Sequence, residues 1–252
     1  MLELINVSRH FGGLQALLNV NMVVPAGKVV GLIGPNGAGK TTLINNISGL
    51  DHPSSGTIRF LGQDISRAAP HRITRLGIAR TYQNIRLFGA STAHVNLLIA
   101  QHGQGRASFL EALTFFPRYL NEEKRLKARA DDILAQFGLS HVAHTQAANL
   151  SYGDQRRLEM ARARAINPRL LLLDEPTAGM NPTETRELGE QILRMRDDGL
   201  TILVIEHDMS LIHQVCDLVY VLNFGQIIAH GTPAEIKNDP VVIEAYLGRE
   251  DD

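Results

Sequence analysis

Alternating and unbroken apolar runs divide the chain before any motif is considered. From Leu2 to Ile33 short apolar stretches are separated by turn residues: LELINV, LLNVNMVV, a turn at PAGK, then VVGLIG. Runs of this length bounded by Pro and Gly predict strands. The uninterrupted VVGLI predicts a strand covered on both faces. Leu43, Ile44 and Ile47 then fall on one helix face. GTIRF predicts a further strand, and GIARTYQ (Gly77 to Gln83) a strand ending in a polar loop. Between Ser91 and Ala148 the period becomes helical. In NEEKRLKARADDILAQFG the apolar positions are Leu126, Ala130, Ile133, Leu134 and Phe137, and Gly138 stands where a C-terminal cap belongs. The charges of that run predict a solvated face with i,i+4 pairs. Strand–helix alternation resumes with LLLLDEP, a helix from Pro182, TILVIEHD, a helix near Leu211, LVYVL and terminal helices. Asn181 as cap, Pro182 in the first turn and Glu184 three past the cap form a start signal. Parallel strands joined by crossover helices fit this order, so the expected class is α/β. The core is expected at about 1–88 and 150–252, with a helical insert at about 89–149.

Composition narrows the function classes. The 252 residues suffice for one large domain, or a core with a smaller lobe. A formal charge of −1, from 25 basic and 26 acidic residues, gives no general attraction to nucleic acid, which is not an expected partner. The single cysteine, Cys216, excludes an intramolecular disulfide and argues for a reducing compartment. The start MLELINVSRHFGG lacks a basic region followed by an apolar one, so no secretory signal is expected. No apolar run approaches the roughly 18 residues of a membrane span. Work at a membrane would need other subunits to cross it.

The chemistry concentrates in a few stretches. GPNGAGKT matches G-x-x-x-x-G-K-[ST], after a strand-like run and before a helix. The segment Gly34, Pro35, Asn36, Gly37, Ala38, Gly39, Lys40, Thr41 and Thr42 is therefore a candidate phosphate loop. Its glycines let backbone N–H groups curl around phosphate oxygens, Lys40 places a charge on the β and γ phosphates, and the Thr41 hydroxyl suits Mg²⁺. LLLLDEP ends a buried strand on two carboxylates, where ligands bind in open α/β sheets. Asp174 is placed to hold Mg²⁺ through water and Glu175 to polarise an attacking water. VIEHD repeats that arrangement with His207 at the exit. Taken singly, a histidine such as His207 is more often structural than functional, and a strand-end glutamine such as Gln83 is more often a surface polar group. NLSYGDQRRLEMARARA (Asn149 to Ala165) opens like a second anion-binding helix, about a hundred residues after the first.

Together GPNGAGKTT, Gln83, LSYGDQ, LLLLDEP and His207, in this order, resemble the ATP-binding subunit of an ABC transporter, and the resemblance covers essentially the whole chain. It implies a P-loop NTPase with a RecA-like core, an N-terminal antiparallel β region and an inserted α-helical subdomain. It implies ATP and Mg²⁺ as cofactors. It places Gln83 at Mg²⁺ and the attacking water, Glu175 as the catalytic glutamate, and His207 at the γ-phosphate. Phe11 falls where an aromatic stacks on adenine; packing into the core is the other reading of that residue.

LSYGDQ resembles the family signature, which implies that two subunits pair head to tail. Ser151, Gly153 and their helix N-terminus would then read the γ-phosphate held by the partner, so a second anion-binding element is needed. Tyr152 and Asp154 depart from the usual glycine and glutamine, and Asn181 from the usual aspartate of the following loop. Implied partners are two transmembrane permease subunits, a second ATPase subunit and, indirectly, an external solute-binding protein. The implied location is peripheral, on the cytoplasmic face of the inner (plasma) membrane. LSYGDQRRLEMARA, DEPTAGMNPTET, LVIEHDM, HGTPAEI and AYLG resemble more narrowly the larger ATPase of branched-chain amino acid importers, to which urea and amide importers are very similar. SFLEALTFFPRYL (Ser108 to Leu120) either closes the insert's own core or, with NIRLFG after Gln83, forms a groove for a permease helix. A soluble ABC ATPase acting on ribosomes or DNA is the competing class. A P-loop kinase is a third, for which the signature helix has no purpose.

Overall fold

The computed structural model describes residues 1–102 and 117–247, and they form two compact units. The first comprises residues 1–80 and 169 onward; the second is Thr81–Pro168.

The first unit holds two sheets. Strands β1 (Leu2–Phe11), β2 (Leu14–Val24), β4 (Ser55–Phe60) and β5 (Gln63–Asp64) form an antiparallel sheet in the order β2-β1-β4-β5. The other sheet runs β10-β9-β3-β8-β7-β6. Its strands are β3 (Val29–Ile33), β6 (Ile78–Arg80), β7 (Leu170–Asp174), β8 (Thr201–Ile205), β9 (Leu218–Asn223) and β10 (Gln226–Gly231). All its pairings are parallel except β9 with β10. Every residue of β3, β7 and β8 is buried, as expected of strands covered on both faces. Helix α1 (Lys40–Ser48) buries Leu43, Ile44 and Ile47 against a core that also holds Leu4, Leu17, Leu32, Phe60 and Leu172. Helices α2 (Pro70–Leu76), α6 (Pro182–Asp197), α7 (Met209–Val215), α8 (Pro233–Lys237) and α9 (Pro240–Leu247) complete the unit.

The second unit contains helices α3 (Ala93–His102), α4 (Pro117–Gln136) and α5 (Tyr152–Ala165). Leu126, Ala130, Ile133 and Leu134 of α4, and Phe137 just past its end, are buried. Gly138, at φ 69°, ends the helix while the Leu139 N–H returns to the Leu134 carbonyl at 2.7 Å. Lys127 meets Glu123 at 2.8 Å on the solvated face. The unit is wider at both ends than the segment of helical period, because the polypeptide after Arg80 and the whole of α5 pack within it. The side chains of Ser108 to Leu120 lie outside the described residues.

The strand read in GIARTYQ ends at Arg80, where the polar loop expected after it begins. Beyond it the Tyr82 N–H bonds the Glu159 carboxylate and the Tyr82 carbonyl accepts from Arg156, so neither can join a ladder. Strand β10 stands where only terminal helices were read. It is an edge strand without one fully buried residue, and so carries no hydrophobic alternation to announce it.

Candidate nucleotide site

Residues Gly34 to Gly39 connect β3 to α1, and Lys40 and Thr41 open the helix. Gly34 (φ 149°) and Gly39 (φ 107°) have backbone that an L side chain rarely adopts, and a Cβ at Gly34 would lie 2.0 Å from the Leu222 carbonyl. Only glycine permits this close approach. Lys40 is buried, and its ammonium donates to the Gly34 carbonyl at 2.6 Å and the Pro35 carbonyl at 3.0 Å. Burial holds its pKa below the usual lysine value, opposed by the negative charge of Glu175.

A cavity of about 400 Å³ is lined by Asn36 through Thr42, together with Phe11, Glu175 and Phe224. Phe11 is 46% exposed, which removes the core-packing reading. One face of its ring is covered by the Arg9 guanidinium, 4.3 Å from the centroid, and Arg9 is itself anchored to Asp51 at 2.7 Å. Asp174 is the last residue of β7, and Glu175 and His207 sit on the loops that leave β7 and β8. Asp174 is buried and pairs with Arg80 at 2.9 Å; Arg80 also donates to Asn45 and Ser48 of α1. Glu175 has φ 47°, a left-handed backbone that residues with a Cβ rarely adopt. His207 is exposed.

Glu206 carries no motif, yet it organises this edge. Its fully buried carboxylate accepts from the Thr177 N–H at 2.9 Å and the Thr177 hydroxyl, and from the N–H groups of His207 at 2.8 Å and Asp208 at 3.2 Å. Arg80 was likewise missed by sequence reasoning. A buried partner of a lone charge leaves a trace only when the pairing is seen in space. Asn181 caps α6 in a full capping box, its side-chain oxygen accepting from Thr183 and Glu184. Its oxygen is thus committed, and only its NH₂ remains to donate elsewhere. Burial pushes the Cys216 thiol up to about 12, so it is no thiolate nucleophile.

The second unit brings Gln83, Ser151 and Gly153 into one connected frame. Ser151 caps α5, accepting from the Asp154 N–H at 3.1 Å while donating its hydroxyl to the Asp154 carboxylate at 2.8 Å. Asp154 also pairs with Arg157 at 2.8 Å. Gly153 is buried in the first turn. One turn on, the buried Arg156 donates to the carbonyls of Tyr82 and Gln83, and the buried Glu159 accepts from the N–H groups of Tyr82 and Arg86. Burial raises the Glu159 pKa, with those N–H groups and Arg156 opposing it. Phe88, half exposed, has both backbone groups bonded to the fully buried Asn96.

The donors fit a Mg²⁺ carried mainly by phosphate. Among the described residues no three His, Cys, Asp or Glu side chains cluster to cage a metal; one hydroxyl, one carboxylate and substrate oxygens are the usual set for this ion.

The ABC transporter family profile matches residues 17–178. The chain belongs to this family. A profile for branched-chain amino acid ATP-binding cassette transporters matches residues 226–252 of the cassette. The cassette is 45% identical over 249 residues to the high-affinity branched-chain amino acid transport ATP-binding protein LivG of Escherichia coli (strain K12), covering 98% of each chain. It is 39% identical to a probable LivG of Archaeoglobus fulgidus, covering 100% of this chain and 96% of that one. A solved nucleotide-free ATP-binding cassette from an ABC transporter superposes with a TM-score of 0.85 at 36% identity, covering 98% of this chain and 99% of that one. The expected P-loop NTPase architecture and the transporter-ATPase class are therefore correct. Among the described residues no helix is long and apolar enough to cross a membrane.

Proposed function

We propose that the cassette is the ATP-hydrolysing motor of a branched-chain amino acid importer. Its near end-to-end likeness to LivG carries this reading. In it, Lys40 exchanges the Gly34 and Pro35 carbonyls for the β and γ phosphates, and Phe11 offers its uncovered face to adenine. Thr41, Asp174 and Gln83 would hold Mg²⁺, which would offset phosphate charge. Glu175, beside Lys40 in the cavity, polarises the attacking water, and His207 reaches the γ-phosphate. The backbone N–H groups of the α5 N-terminus and Ser151 close over the γ-phosphate of a partner subunit, as the helix dipole favours. Two permease subunits dock at the cytoplasmic face and receive the closing motion; an external binding protein delivers solute.

Co-reconstitution with its permeases and binding protein in proteoliposomes tests this. ATP should drive uptake of leucine, isoleucine and valine, and Glu175→Gln should abolish uptake and hydrolysis while ATP still binds. Undiminished hydrolysis in that variant removes Glu175 as the base. ATP-driven uptake of urea or amides in place of these amino acids removes the substrate assignment.

A further inference from the structure

The hairpin between β9 and β10 carries a residue that neither its turn nor the core accounts for. Asn223 pairs with Gln226, so the connection is the two-residue loop Phe224–Gly225. Both have positive φ, 45° and 76°, the requirement of a type I′ turn, whose first position favours Asn, Asp or Gly. Phenylalanine there strains the backbone. Its side chain recovers nothing by burial, being 85% exposed.

The tip of the hairpin is nevertheless fixed. Gly225 donates its N–H to the Ala38 carbonyl at 2.9 Å, and its own carbonyl accepts from the Leu18 N–H at 2.8 Å. The turn is thereby tied to the phosphate loop on one side and to β2 on the other. Phe224 lines the same cavity as Phe11, Ala16 and the phosphate loop. A strained, exposed aromatic held at the rim of a phosphate-binding cavity, with a second exposed aromatic in the same wall, has the chemistry of a platform for a planar base.

We infer that Phe224 is a second stacking contact for the nucleobase, beside Phe11. This rests on Phe11 being the adenine platform. The backbone strain is the stability cost of placing an aromatic ring there.

Calorimetric titration of the full-length chain with ATP and with inorganic tripolyphosphate separates base from phosphate recognition. Phe224→Ala and Phe224→Asn should each weaken ATP binding about tenfold and leave tripolyphosphate binding unchanged. Phe224→Asn installs the favoured Asn-Gly turn, so it should also raise the melting temperature by roughly 2–4 °C; weaker ATP binding by that variant is then not misfolding. Normal ATP affinity in both variants, or an equal loss for both ligands, overturns the role of Phe224. Phe11→Ala distinguishes the two failures. If it weakens ATP binding while the Phe224 variants do not, only the second contact falls; if it too binds ATP normally, the base site itself falls.

Discussion

The Asp154 carboxylate accepts a hydrogen bond from the hydroxyl of Ser151, the group assigned to a partner's phosphate. A carboxylate at the first turn of α5 is favoured by the helix dipole, so it competes with an incoming anion for the same N-terminus. Replacing it by the usual glutamine removes that competition and leaves the Ser151 cap able to form. Asp154→Gln should therefore let ATP-driven dimers form at about two- to fivefold lower protein concentration, read by sedimentation in ATP. At this scale the phosphate loop was fully legible, because glycine spacing and a following lysine have few other uses. Phe11 needed its exposure in the folded chain to decide between two readings. Arg80 and Glu206 could not be read at all: each is one charge at or just past the end of a strand, and its importance lies in partners such as Asp174 and Thr177 far along the chain.

Helix α5 ties its own start to the segment carrying Gln83. Arg156 holds carbonyls and Glu159 holds N–H groups of the same short stretch, so the loop is gripped by both polarities from one helix face. Glu159→Ala removes the acceptor of the Tyr82 and Arg86 amides. Those two amides should exchange hydrogen about tenfold faster or more, with the α4 amides unchanged as a control for folding; uniform acceleration would instead mean general loosening of the unit. Most elements were legible where periodicity was strong, as in α4, or where caps were explicit, as in α6. The strand and following polar loop in GIARTYQ were legible too, but not the buried Arg156–Glu159 pair that fixes where one gives way to the other. Helix α2 was missed: with Ile73 its one buried residue, it shows no period.

At the scale of the molecule, the alternation of strands and helices was legible but the strand order was not. Nothing local in VVGLI states that β3 lies between β8 and β9; that follows from long-range pairing. The proposed head-to-tail assembly makes a sharper demand. If sites are completed between protomers, Lys40→Ala and Ser151→Ala chains are each inactive alone. Mixed, they build one sound site in each heterodimer and should recover about a quarter of the normal ATPase rate. No recovery on mixing, with heterodimers present, would mean that each chain encloses its own site. Within the first unit, Glu206 sets a condition on any such cycle. Four donors from two separate loops converge on one carboxylate without solvent, and parting either loop alone would strand a charge in the interior. The cheapest displacement carries both loops as one piece, so a tug felt at His207 reaches Thr177 with no bending of the sheet beneath.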